Sequence, residues 1–471
     1  MRNKIIYLLI FIMLFFSTGY TGAKKYYKAK KWKRTVKAVV KVVKAEPQKE
    51  NPDWPSAGYI YNEFSLTLTN RSSDINFYYE KIRELLEMEA DIMPNAKIDI
   101  GLKDSIFPEG WNKNGSFLVK VPVKISGWQM NPFQNTISIT FSRQEAAVKE
   151  GSYIFLSNNP EVIRKPGVLF WGDISDKNPV EFLYYHMNGM TTPCRFYTVL
   201  ENLTKSEVKV LLISGKGGPH KDGIAVGHVA TKRFFRNYFY KRGMIITLPP
   251  EGFKVIEKDD LAPKDINSGI VNLGLLGNGK VRVETIAVDP YSEGIAKIFK
   301  AEKVGKGQQR GVFPATKVKI TKYFEVGSDV DGSFVSIGAK HYIQEVNTGE
   351  ELKGNYGLWH EFYLEVFNKT KDPKIVQVYL IPACGLARAI LFLNEKIFET
   401  PLLNPYGDRF EEKLISFKLM PSQGKDLRIF TMPQPGVYYP VRLALREKEI
   451  GSESEEVTDN EIDKQNNIFK E

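Results

Sequence analysis

Five histidines, His186, His220, His228, His341 and His360, are the side chains best suited to bind a metal or move a proton near neutral pH. None stands in a His-Glu-x-x-His spacing or beside a cysteine in a recognisable ligand pattern. The densest grouping is GGPHKDGIAVGH, residues 217–228, where His220, Asp222 and His228 offer three candidate ligands within nine residues. Turn and strand-edge roles account for the same residues without a metal. Residues 215–218 read GKGG and set a lysine among glycines as a phosphate site would, but the P-loop spacing and its following Ser or Thr are absent, so a tight turn is expected. Asp329 and Asp331 could serve calcium, yet no glutamate follows at the distance an EF-hand loop needs, and a hairpin turn is expected instead. No Gly-x-Ser-x-Gly elbow occurs, and neither Cys194 nor Cys384 has the local setting of a nucleophile. A glycosidase-type carboxylate pair is set by the fold and not by spacing, so 55 acidic residues say nothing about one. These residues predict no catalytic group, no metal site and no cofactor.

The elements that must position any site are strands. Residues 196–219 (FYTVLENLTKSEVKVLLISGKGGP) read as two extended segments joined by a polar turn. Residues 362–388 (FYLEVFNKTKDPKIVQVYLIPACGLAR) repeat them, with Asn202 and Thr204 matched by Asn368 and Thr370. The first strand of each copy alternates, which sends successive side chains to opposite faces of a sheet. An asparagine at the turn bonds its own backbone two residues on, so it reverses a strand at low cost. The match extends to 246–256 and 415–429, each a strand, a Pro-and-Gly turn and a strand. The sequons at Asn70, Asn114, Asn202 and Asn368 fit glycosylation, but two of them are the repeated turn, which a structural role already explains.

A chain of 471 residues with 42% hydrophobic and 12% aromatic content is globular and long enough for roughly three domains. Its formal charge of +11 invites a nucleic-acid partner, but twelve of the 66 basic residues fall in 1–44 with no acidic one, leaving 54 basic against 55 acidic groups in the body. A partner chosen by charge must meet the N-terminal arm, and no specific nucleic-acid binding is expected. Residues 5–16 form an apolar run behind Arg2 and Lys4, too short to span a bilayer comfortably, so 1–23 reads as a cleaved secretory signal with an uncleaved anchor as the alternative. Residues 24–44 then carry ten basic groups, with Lys24, Lys25, Lys28, Lys30, Lys31, Lys33, Arg34 and Lys37 the candidates for contact with an anionic membrane or cell-envelope polymer. A solvated arm is the other reading. In an oxidising compartment Cys194 and Cys384 either pair across domains or stay as free thiols.

The expected organisation is a signal at 1–23, a basic arm and linker at 24–55, a β-rich domain with one helix at 56–157, β-sandwiches at 166–290 and 313–446, and an acidic disordered tail at 447–471. The helix is expected over 75–89, where apolar residues recur on one face. Strands are expected in the first sandwich at 168–171, 181–186, 195–200, 207–213, 244–248, 253–256 and 280–287. Residues 233–240 (RFFRNYFY) read as a short helix or an aromatic connection with rings left exposed.

The repeated strand, Asn-x-Thr turn and strand resembles the immunoglobulin-like and CARDB-like modules of secreted bacterial proteins. Residues 354–357 (GNYG) and 439–441 (YPV) also look like segments of uncharacterised secreted proteins built from such modules. The resemblance spans about 166–446 and implies a mainly β fold of tandem antiparallel sandwiches and an extracellular setting, with no activity attached. The expected function is a secreted or cell-surface structural or interaction protein, tethered by its basic arm and able to meet other surface proteins or copies of itself. The alternative is an extracellular carbohydrate- or polymer-binding protein, suggested by 23 tyrosines, six tryptophans and the run at 234–240; an extracellular hydrolase is the third reading.

Overall fold

A computed structural model describes residues 51–448 apart from 71, 73, 112–114, 291–310, 328–332, 340–341 and 395. The signal-like run, the basic arm with its eight candidate residues, the Asp329 and Asp331 pair, Asn114, His341 and the acidic tail beyond Lys448 lie outside the described residues.

The fold is mainly β, with two helices among the described residues. In the first sandwich a four-stranded sheet, ordered Phe253–Leu261, Cys194–Asn202, Lys280–Val288, Gly167–Ser175, faces part of a longer sheet. That facing part runs Gly311–Phe313, Tyr153–Ser157, Val180–Asn188, Ile266–Leu275, Val208–His220, Met244–Leu248. Phe170, Phe182, Tyr184, Phe196, Val210 and Val271 fill the space between them. Period-two alternation explains why the inward side chains of both layers meet in one core. The second sandwich repeats the plan. Strands Lys317–Val326, Trp359–Asn368, Gly424–Thr431, Ile390–Leu393 and Lys396–Glu399 form one layer, and Phe334–Ile337, Val441–Lys448, Lys374–Pro382 and Glu412–Leu419 the other. Its separate core holds Phe324, Phe362, Val378, Leu391, Leu427 and Leu443. Residues 342–346 form no strand; Gln344 makes an isolated bridge to Glu351.

The N-terminal portion extends the long sheet. Glu63–Leu68 pairs antiparallel with Met244–Leu248 and parallel with Phe133–Arg143, so hydrogen bonding runs without a break from the first sandwich into the N-terminal strands. Helix α1 (Ile75–Glu89) covers this end with Phe77, Tyr78, Ile82, Leu85 and Leu86 buried, and Asp74 caps it by accepting from Asn76 N at 2.9 Å. Tyr153–Ser157 belongs to the first sandwich by pairing, parallel to Val180–Asn188.

Helix α2 (Gly223–Phe239) takes in the aromatic run, and its start reaches ten residues earlier than that run. Asp222 caps it, accepting from Ile224 N at 3.0 Å and Ala225 N at 3.1 Å. The GKGG segment is not a tight turn: it is the end of strand Val208–His220, over which α2 lies. A Cβ at Gly215 would sit 2.1 Å from Phe234 N, and one at Gly217 would sit 2.0 Å from Val226 O, so these glycines are the recess that lets helix backbone touch strand backbone.

The repeated asparagine is a buried bracket. Asn202 Nδ2 donates to Ser206 O at 2.7 Å and Pro249 O at 2.8 Å, while its Oδ1 accepts from Thr204 N at 2.9 Å and Thr204 Oγ1 at 2.8 Å. Asn368 repeats this, donating to Asp372 O at 2.9 Å and Leu419 O at 3.1 Å and accepting from Thr370 N at 2.9 Å and Thr370 Oγ1 at 2.7 Å. Each closes its own turn and ties it to the end of a later strand, Met244–Leu248 for Asn202 and Glu412–Leu419 for Asn368. Asn188 does the same with Thr192 O, Leu261 O and Met190 N, all at 2.9 Å, a third copy hidden in the NGMTT turn.

Candidate functional site

A groove of about 990 Å³ lies between the two sandwiches and is lined by aromatic side chains. Leu156 and Leu183 form its floor from the first sandwich, and both also belong to the apolar cluster that joins the sandwiches. Tyr185, Tyr342, Tyr356, Tyr438 and Tyr439 stand around it, with Glu161, Glu350, Glu351 and Lys353 as its charged groups.

The loop 432–440 that presents two of these tyrosines is pressed onto the start of α2. A Cβ on Gly227 would lie 1.9 Å from Pro435 O, and one on Gly436, whose φ is +78°, would lie 2.3 Å from Gly223 O. Only glycine suits both the left-handed backbone and the close approach at Gly436. Within the loop, Gln434 N donates to Tyr439 Oη at 3.0 Å, and Tyr356 Oη donates to Val437 O at 2.9 Å. The Tyr356 and Tyr439 rings meet edge-on, with centroids 5.6 Å apart. Tyr438, 59% exposed, is left facing solvent on this rigid loop.

Burial pushes the Tyr356 phenol up to about 12 and raises Tyr185 and Tyr439 as well, so all three are neutral hydroxyls at physiological pH. Neutral phenol rings beside carboxylates can stack on the apolar face of a sugar and hydrogen-bond its hydroxyls, or hold a cationic group over a ring. Residues 354–357 (GNYG) and 439–441 (YPV) supply Tyr356 and Tyr439 to this groove.

The structure disperses the residues that the sequence had grouped for metal or phosphate. Exposed His220 accepts from Asp222 N at 3.0 Å through Nδ1, and Asp222 is spent on capping α2. His228 lies in the helix and turns to the other sandwich, with Nε2 2.7 Å from Glu399 Oε1. Arg388 donates to the same oxygen at 2.6 Å. Burial works against the Glu399 charge, but hydrogen bonds from His228 and Lys232 hold that carboxyl down at about 2. This is a structural clasp between the sandwiches. Lys216 of GKGG is committed to Asp259 Oδ1 at 2.6 Å and Glu257 Oε2 at 3.5 Å. Burial opposes its charge, but those two carboxylates raise its pKa, so the ammonium is neither a nucleophile nor a spare anion ligand. Among the described residues no three His, Cys, Asp or Glu side chains gather as metal ligands, and no helix is long and apolar enough to cross a membrane. Cys194 and Cys384 are both free; burial pushes the Cys194 thiol up to about 12.

The run at 234–240 is not an exposed platform. Phe234 and Phe235 are fully buried, and with Tyr238 and Phe239 they surround Trp359 of the second sandwich at centroid distances from 4.7 to 6.0 Å. The aromatics read as ligand-facing are the joint, while those lining the groove come from segments with no aromatic periodicity. The sequons Asn202 and Asn368 are 1% and 0% exposed, and their amides are taken up by the bracket.

No family model matches the chain, and no curated protein matches it. Among solved structures, tripeptidyl peptidase 2 aligns at 6% identity over 75% of this chain with a TM-score of 0.16, and the chain spans 30% of that protein's length. Lac15 from a marine microbial metagenome aligns at 10% identity over 72% of this chain and 73% of its own, with a TM-score of 0.11. The CBM22-1-CBM22-2 tandem domain of Paenibacillus barcinonensis Xyn10C aligns at 8% identity over 77% of this chain and 87% of its own, also at 0.11. At such scores none of the three lends this chain a fold or a chemistry.

Proposed function

We propose that this chain is an exported, cell-envelope-associated binding protein without catalytic activity, built from sandwiches of the immunoglobulin-like or CARDB-like kind, whose inter-sandwich groove takes an extended glycan chain. The observation that carries the reading is the groove itself: five tyrosines and three glutamates around about 990 Å³, on loops held by close backbone contacts. A rigid aromatic wall loses little entropy on binding, and sugars offer it both an apolar face and hydroxyls. The ten basic groups of residues 24–44, set against a neutral body, favour an electrostatic tether to an anionic envelope surface.

Retention of the full chain on insoluble polysaccharides tests the groove. Binding to at least one of them, weakened about tenfold by Tyr438→Ala, is expected, since one ring at a stacking position is worth about 1.4 kcal/mol. Retention on none of a broad panel, or unaltered retention of the variant, removes the groove as the ligand site. Deleting residues 24–44 tests the tether: salt-sensitive envelope retention should be lost, and undiminished retention rejects it.

A further inference from the structure

Behind the groove, the joint between the sandwiches contains a carboxyl, Glu181, with no ion-pair partner among the described residues. Glu181 on strand Val180–Asn188 is 3% exposed and fully enclosed. Its Oε1 accepts from Trp359 Nε1 at 2.9 Å, the one polar contact of the indole at the centre of the joint. Its Oε2 has no partner among the described residues. Directly across the sheet, in register with it, stands Asn272 of strand Ile266–Leu275, 0% exposed and within hydrogen-bonding reach. Asn272 Nδ2 donates to Lys149 O at 3.1 Å, and its Oδ1 is likewise a buried oxygen without a hydrogen-bond partner among the described residues. Two unsatisfied buried acceptors on residues paired across the sheet are costly in an apolar joint, and a single proton shared between them would satisfy both.

We propose that Glu181 is a neutral carboxylic acid whose Oε2–H donates to Asn272 Oδ1 while Oε1 holds the Trp359 indole, and that loss of this proton releases the joint between the two sandwiches. The surroundings agree. The titratable groups facing the site are Glu150 before the first sandwich's edge strand, Tyr238 of α2, and Lys317 and Glu361 of the second sandwich. Lys317 is turned to Glu150 at 2.6 Å and lies 3.9 Å from Glu361, and Tyr238 is a neutral phenol, so no cation is aimed at Glu181. Burial pushes its pKa up to about 8; the Trp359 bond and, more weakly, the Asn272 side chain pull the other way, and the Glu150 charge adds to the rise. Gly151 seals the site, since a Cβ there would lie 2.7 Å from Glu181 Cγ.

The sign follows from linkage. The closed joint holds a proton that an opened, solvated Glu181 gives up above its ordinary pKa of about 4.5, so closure weakens about tenfold per pH unit up to pH 8 and then levels off. Glu181→Gln keeps both hydrogen bonds, with an amide N–H toward Asn272 and a carbonyl toward Trp359, and removes the titration.

Hydrogen exchange on the full chain, corrected for intrinsic rates, reads this between pH 6.5 and 9, above the range in which the buried histidines titrate. The opening equilibrium of strand Trp359–Asn368 should rise by about tenfold per pH unit to pH 8 in the wild type. It should stay flat in Glu181→Gln, while strand Ser116–Ser126 responds in neither protein. Parallel slopes in the two proteins, or a Gln variant already open at pH 6.5, overturn the proposal. Should the variant not fold, a wild-type joint whose opening does not rise with pH relative to Ser116–Ser126 overturns it equally.

Discussion

The two sandwiches are alike where each holds itself together and unlike where they meet. Cys194–Asn202 pairs with Phe253–Leu261 as Trp359–Asn368 pairs with Gly424–Thr431, and Val208–His220 pairs with Met244–Leu248 as Lys374–Pro382 pairs with Glu412–Leu419. The asparagine brackets close equivalent turns with the same donor and acceptor atoms, Asn202 reaching Pro249 O at 2.8 Å where Asn368 reaches Leu419 O at 3.1 Å. Between the last two of those strands the first sandwich inserts α2, and the second inserts the hairpin Ile390–Leu393 and Lys396–Glu399. The two insertions then touch: Phe239 stacks on Phe392 at 3.8 Å between centroids, and His228 meets Glu399. Repeated parts secure the unit, and the parts that diverged built the joint and, beside it, the groove.

The sharpest way to break that comparison is at the recess under α2, which the second sandwich lacks. Gly217→Val puts a branched side chain where Val226 O already lies 2.0 Å from a Cβ, so more than about 3 kcal/mol of stability should be lost in urea titration. A loss below about 1 kcal/mol would mean that α2 is free to lift away.

Acid tests the likeness next. His186 in the first sandwich and His360 in the second are 0% and 2% exposed, and burial lowers each to about 4. The folded pKa lies below the ordinary value of 6.5, so the stability these neutral rings contribute is present above pH 6.5 and lost as pH falls toward 4. Each should contribute roughly 2–3 kcal/mol to that decline. His186→Gln and His360→Gln should each flatten part of the acid limb of a stability-pH curve; an unchanged limb in either variant rejects that histidine's share.

The brackets come third. Asn202→Ala and Asn368→Ala each strand carbonyls that an amide now satisfies, and each should cost about 2 kcal/mol by denaturant unfolding. Equal losses support a shared device, and a difference of more than about 1 kcal/mol argues that one copy has been taken over by its surroundings. Asn188→Ala should fall in the same range.

The smallest effect belongs to the groove. Tyr438→Ala should change stability by less than about 0.5 kcal/mol, because the ring contacts little when no ligand is present. A larger loss, read in the same titration, would make Tyr438 part of the fold instead of a binding surface.

Much of this architecture was legible in the chain. The span of α1, the alternating strands and the repeated Asn-x-Thr turn follow from local patterns that one buried face imposes. Strand Ile266–Leu275 escaped because all ten of its residues are buried, so nothing alternates, and Asn267, Ser268, Gly269, Asn272 and Gly274 mimic a loop. Asn267 donates to Asp259 at 3.1 Å and Ser268 to Tyr184 O at 3.0 Å inside the protein, and Gly269 makes room for the Tyr184 ring. Helix α2 was half hidden because the glycine-rich approach to it resembles a turn; only the overlying helix shows why those residues are small. The groove left almost no local trace, since its tyrosines come from four separate stretches of chain.

By itself the sequence determined the pleated, two-layered units, their duplication and the concentration of positive charge in residues 24–44, because periodicity, turn chemistry and charge are properties of neighbours in the chain. Tertiary structure alone decided that the aromatic run at 234–240 would be core, that Lys216 and His228 would be clasped by carboxylates, and that Glu181 would be buried beside Trp359. Those outcomes depend on which surfaces meet far apart along the chain, and desolvation, which sets both the packing and the charge states, acts only once they have met.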